Sequence, residues 1–189
     1  MNRTLKTILI ILAVLAVLIL PVISSYNGLV SLDQKVKSAE SNIDTQLQRR
    51  SDLIPNLVET VKGYAAQEKQ IFADIANARS KLAGAQNITD RANADSQLSS
   101  ALSRLLVVVE NYPDLKSNQN FRDLSVALEG TENRIAIARQ DYNKSVDSYN
   151  TRVRRFPGSI IAGIFRFEEK PYYKAAEGAK EVPKVNFTK

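Results

Sequence analysis

QRRSDLIPNLVETVKGY, residues 48–64, places apolar side chains three and four apart, as one face of a helix does, and yet carries Pro55 in its middle. A proline inside a helix removes a backbone donor and presses on the carbonyl one turn back, at a cost of about 3 kcal/mol. Pro55 lies off the apolar stripe that contains Ile54 and Leu57, so a break there leaves the stripe intact. Two readings follow. A continuous helix kinks at Pro55, or a new helix starts there, capped by Ser51 or Asp52. Both place a joint near residues 51–55.

Working outward, the same spacing runs through Leu29, Leu32, Val36, Ala39, Ile43, Leu47, Arg50, Ile54, Leu57, Val61, Tyr64, Glu68, Ile71, Ile75, Ala78 and Leu82. This heptad-like seam predicts one helix over residues 26–83, a rod of roughly 85 Å. Arg50 interrupts the seam with a charge and is expected to pair with Asp52 or with an acid on a neighbouring helix. AGAQNITD, residues 83–90, reads as a turn followed by an N-cap. A second helix then runs to about Asn111, and NYPDLKSNQN, residues 111–120, interrupts it as an extended connection. A third helix covers Asn120–Phe156 until Pro157-Gly158 ends it.

The fold class expected is all-α, an N-terminal transmembrane helix followed by an elongated up-down-up three-helix bundle with long antiparallel helices. Residues 1–25 form the N-terminus and anchor, 26–158 the bundle with a proximal stem, and 159–189 an apolar segment and an irregular tail. The second helix is too short to cover the stem. An apolar stem without a partner in its own chain predicts pairing with further copies, hence a homo-oligomer.

From Ile8 to Ile23 the chain has sixteen apolar residues and no charge. With Leu5, Lys6 and Thr7 the stretch approaches the roughly 20 residues that cross a bilayer. Its length and the following Ser24 and Ser25 also suit a signal peptide, but the apolar run is long for one and an A-x-A cleavage box is absent, which favours an uncleaved anchor. Arg3 and Lys6 precede it, so the positive-inside rule predicts a cytoplasmic N-terminus and a large C-terminal domain across the membrane.

Composition narrows the chemistry. The 189 residues include no Cys, His or Trp, which removes thiolate chemistry, imidazole bases and most zinc or haem sites. Without Arg3 and Lys6, 24 basic residues face 20 acidic ones, a balance of +4 that makes no case for nucleic acid. The carboxylates Asp33, Glu40, Asp44 and Asp52 fall along a charge-mixed helix, and no phosphate-binding or dinucleotide fingerprint occurs. No catalytic, cofactor or metal residue is expected.

Three groups of residues stand out. Asn133, Tyr142, Asn143, Tyr149 and Asn150 recur on the third helix, with the Tyr-Asn pairs seven apart and so on one face; they read as a polar layer that fixes helix register, or as a ligand groove or solvated face. Arg152, Arg154 and Arg155 suit a helix C-terminus, or contact with anionic headgroups or a partner. Ile160, Ile161, Ile164 and Phe165 lie in GSIIAGIFRF, which is unusually apolar for a linker. Such a segment tucks against the bundle, lies in a membrane interface or enters another subunit. In an up-down-up arrangement the third helix ends far from the bilayer, which favours another subunit. Pro183–Phe187 closes the chain as a free tail, an extended strand or an anchor in a groove.

The blocks YNGLVSLDQKV, QRRSDLIPNLVETVKGYAAQEK, ENYPDLKSNQNF, LEGTENRIAIARQDYNKSVDSYN, FPGSIIAGIFRF and PKVNF, in that order, resemble the LemA family of bacterial membrane proteins. The resemblance implies an anchored long-helix bundle with no established enzymatic activity; some relatives look like magnetosome-membrane proteins, and others are encoded near membrane peptidases. Gln67 stands where many relatives carry a histidine. The functions expected are a non-enzymatic membrane scaffold, an adaptor for a membrane peptidase or other envelope protein, or a protein that remodels the bilayer.

Overall fold

The structure, a computed structural model, describes residues 3–174. These form six helices and no strand: α1 Arg3–Lys62, α2 Lys69–Ala83, α3 Ile88–Val109, α4 Pro113–Ser117, α5 Gln119–Arg154 and α6 Gly158–Phe165. The expected all-α class with one long apolar N-terminal helix is what the chain adopts. Pro183–Phe187 lies outside the described residues.

Two compact units share α1 and α5. Among the described residues, one contains 3–39 together with Asn143–Lys170, and the other contains Glu40–Tyr142 together with 171–174. In the second unit four long helices and the short α4 meet, rather than three helices. Ile54, Leu57 and Val61 of α1 pack with Ile75 and Ala78 of α2, with Leu98, Ala101, Leu105 and Val109 of α3, and with Leu115 and Phe121. The polar contacts give the directions. Arg79 donates to Ser51 at 3.0 Å while Lys62 lies over the Phe72 ring, so α1 and α2 are antiparallel. Lys81 to Gln97 and Arg104 to Asp74 make α2 and α3 antiparallel as well.

The extra helix exists because the predicted 26–83 rod breaks at Gly63–Glu68. Gly63, a poor helix residue, follows Lys62, and the amides of Tyr64 and Ala65 both turn back onto the Val61 carbonyl. Ala65 is buried, whereas Tyr64, read as part of the seam, is exposed. The turn is tied down by Gln67, which donates to the Tyr112 hydroxyl at 2.5 Å, and by Asn118, which donates to the Tyr64 hydroxyl at 3.1 Å. Pro55 is half-buried inside α1, whose helical backbone continues to Lys62. It neither begins nor ends a helix, so the reading of a new helix capped by Ser51 or Asp52 is not what the chain does.

Caps meet the donors that helix starts leave open. The Asn87 side chain accepts from the Asp90 amide at 2.9 Å to begin α3, as the turn signal predicts. Asn118 does the same for Phe121 at 3.1 Å near the start of α5. The 111–120 connection is helical where extension was expected: Pro113 occupies the first turn of α4, where its missing donor costs nothing, and Leu115 is buried beneath it.

In the first unit, Leu29 packs on Ile161 and Ala162, with Val153 and Phe167 alongside. Val36 is buried too. The stem is therefore covered by its own chain, and the reason given by sequence for pairing with further copies is removed. Gly158 makes the return possible, since a Cβ there would stand 2.2 Å from the Arg152 carbonyl oxygen. The α6 helix closes at Arg166, which adopts a left-handed conformation (φ 58°) while the Phe167 amide reaches the Ala162 carbonyl.

Candidate functional site

Leu29, Val36, Ile43, Arg50 and Leu57 lie seven apart on α1, and all five are buried. Arg50 thus puts a guanidinium where its heptad equivalents put hydrocarbon. It is 1% exposed, and a charge held there must be paired. Arg50 donates to Asp95 on α3, to Ser99 at 3.0 Å and to Glu132 on α5 at 2.5 Å. Asp95 is fully buried, and its second oxygen accepts from Arg139 and, at 2.7 Å, from the Tyr173 hydroxyl. Arg139 also lies over the Tyr173 ring, 5.2 Å from its centroid.

Burial lowers the Arg50 pKa, opposed chiefly by Glu132; a guanidinium nevertheless stays protonated at any physiological pH. Burial pushes the Tyr173 hydroxyl up, against the pull of Arg139 and Arg50. Both Asp95 oxygens are thus occupied, and the cluster ties α1, α3 and α5 together through Arg50, Asp95 and Arg139. Among the described residues, no group of three or more acids has the arrangement of a metal site.

Beside the cluster, Arg50 and Glu132 border a groove of about 470 Å³ with apolar walls of Leu57, Leu102, Leu106 and Val126. Leu106 and Val126 are exposed at its rim, with Val107 nearby on α3. The buried Ser125 hydroxyl, which lines the groove, and the Arg50 Nε have no protein partner.

The predicted polar layer divides. Asn133 is exposed and belongs to no buried layer; Asn143 is half-buried. Tyr142, Tyr149 and Asn150 are buried, and two of them grip the C-terminal segment. In the first unit, Asn150 donates to the Lys170 carbonyl and accepts from the Lys170 amide, both at 2.9 Å, as a strand neighbour would. Lys170 sits over the Tyr149 ring and bonds to Asp33 at 3.1 Å. In the second unit, the Tyr142 hydroxyl donates to the Pro171 carbonyl at 2.9 Å. Burial, with Glu40 adding to it, pushes Tyr142 up to about 12. A buried ion pair between α1 and α3 is made by Arg50 and Asp95. Arg50 is visible in the sequence as a charge on an apolar seam. Asp95 is not, because the polar run around it reads as a solvated face.

The cations after Asn150 also separate. Arg152 is half-buried beside Gly28, Arg154 forms a two-bonded pair with Glu169, and Arg155 is exposed. On α6, Ile161 is buried while Ile160, Ile164 and Phe165 are exposed, together with Phe156 before it. Phe165 and Phe167 flank Tyr26 of α1, with ring centroids 4.7 and 5.8 Å away. The end of α5 thus lies beside residues 26–29, next to the apolar segment. Sequence reasoning put it far from the bilayer because a three-helix count reverses the direction of the last helix.

Comparison with known proteins gives a match to the LemA family over residues 39–187. The chain is 27% identical over 178 residues to the magnetosome protein MamQ 2 of Paramagnetospirillum magneticum, covering 79% of this chain and 64% of that protein. It is 26% identical to MamQ of Magnetospirillum gryphiswaldense, covering 78% and 64%, and 24% identical to protein LemA of Metamycoplasma hominis, covering 80% and 69%. The chain spans less than two thirds of the length of the MamQ relatives.

Proposed function

The chain belongs to the LemA family, and from that premise we propose that it is a non-enzymatic, single-pass membrane scaffold. The observation that carries this reading is the continuity of α1. Its residues Ile8–Ile23 are apolar and exposed, as suits lipid, and the same helix then supplies the seam of both folded units. Arg3 and Lys6 before the span set the N-terminus on the cytoplasmic side. Relatives named for a cellular structure, the magnetosome, rather than for a reaction agree with a role in assembly.

A second reading, an adaptor that holds a membrane peptidase or another envelope protein, is favoured by the groove with Leu106 and Val126 at its rim. Release from native membranes in mild detergent, followed by measurement of the mass and composition of the complex, separates the two. The scaffold reading expects a large homogeneous assembly of this chain. A small complex holding a different protein in fixed ratio overturns it in favour of the adaptor, and a photo-crosslinker at Val126 should then capture that protein. A monomer defeats both.

A further inference from the structure

The α6 helix is apolar on two sides. One side, Ile161 and Ala162, is spent on Leu29; the other shows Ile160, Ile164 and Phe165 uncovered, with Phe156 beside them. In water such a patch is costly. Its height relative to the bilayer follows from helix geometry. A hydrocarbon layer of about 30 Å is spanned by about 20 residues, here ending near Ile23, and the headgroup layer beyond it is roughly 5–7 Å thick. At about 1.5 Å per residue, Tyr26 stands ~4.5 Å and Leu29 ~9 Å past Ile23. Those are the residues against which Phe165, Phe167 and Ile161 pack.

We infer that α6 lies in the interface of the same bilayer that α1 crosses, at the level of the headgroups, with Ile160, Ile164 and Phe165 turned toward the headgroup–acyl boundary. Tyr26, with Phe165 and Phe167 against it, sits at the level where an amphipathic ring favours a membrane surface. Arg155 and Arg166, both exposed, flank the apolar face and suit lipid phosphates. The occupant is lipid rather than a second copy because α6 is fastened to the helix turns that emerge from the bilayer, so its free side is at the depth of lipid without any rearrangement. The inference rests on α1 spanning the membrane.

The chain has no tryptophan, so Phe165→Trp gives a single reporter in the full-length protein, assembled one copy per lipid nanodisc. Lipids brominated near the headgroup end of the acyl chain should quench its emission more than lipids brominated near the terminal methyl, and the emission should be blue-shifted. Lys35→Trp, exposed on α1 and about 18 Å past Ile23, should be quenched by neither. Quenching of F165W no greater than that of K35W overturns the inference, as does a blue shift that appears only when two copies share a disc. Ile164→Trp repeats the measurement if the first variant loses helicity. Leu15→Trp tests the span separately: deep bromines should quench it whatever α6 does, so its failure indicts the anchor and the failure of F165W alone indicts α6.

Discussion

At the scale of single residues, the decisive feature is a charge where the heptad asks for hydrocarbon. Removing one member of a buried ion pair leaves the other unpaired, so Arg50→Met should destabilise the protein by about 3–5 kcal/mol, read from denaturant midpoints in detergent. Arg50→Met combined with Asp95→Leu should cost clearly less than the sum of the two single changes, because Arg139, more exposed than Arg50, can turn to water. Strict additivity would show that the cluster is not one unit. Tyr142 supplies a pH dependence. Its folded pKa is raised to about 12, so its contribution is complete below the unfolded value near 10 and is lost as pH rises toward 12. Tyr142→Phe should flatten the fall in stability across that window, measured as unfolding midpoint against pH; an unchanged slope would assign the alkaline loss to other groups.

At the scale of elements, periodicity made α1 legible. A stripe sustained from Leu29 to Val61 has no other economical explanation, and nearly every buried α1 position was readable from spacing alone. The break before α2 was not, because Gly63 is a weak stop and Ile71, Ile75, Ala78 and Leu82 fall back into the same 3,4 spacing beyond it. The grip of Asn150 was also hidden. Its partner is the backbone of Lys170, and no side-chain pattern announces a backbone partner. Asn150→Ala should remove two bonds of about 0.5–1.5 kcal/mol each and speed amide exchange in residues 168–173, with little change in α2 or α3. Asn87→Ala should cost about 0.5–2 kcal/mol through loss of the α3 cap, seen as faster exchange at the first turn of that helix.

At the scale of the whole molecule, the chain uses its long seam on itself. A charge at Val36, which is buried, should therefore lower thermal stability by an amount that does not depend on protein concentration. Val36→Glu melted at two concentrations tests this, since a seam shared between copies would give a midpoint that rises with concentration. Asp95 and the residue that completes its bonding, Tyr173, are separated by 78 positions. At about 5–20 residues per second, a ribosome adds Tyr173 roughly 4–16 s after Asp95. For the last 34 positions of that stretch, roughly 2–7 s, Arg139 is already in the chain and Asp95 lacks only the Tyr173 donor, and a chain ended before Tyr173 lacks it permanently. The closing tyrosine thus makes stability a reading of whether translation went far enough, and prematurely ended chains are the ones a membrane protease should clear first.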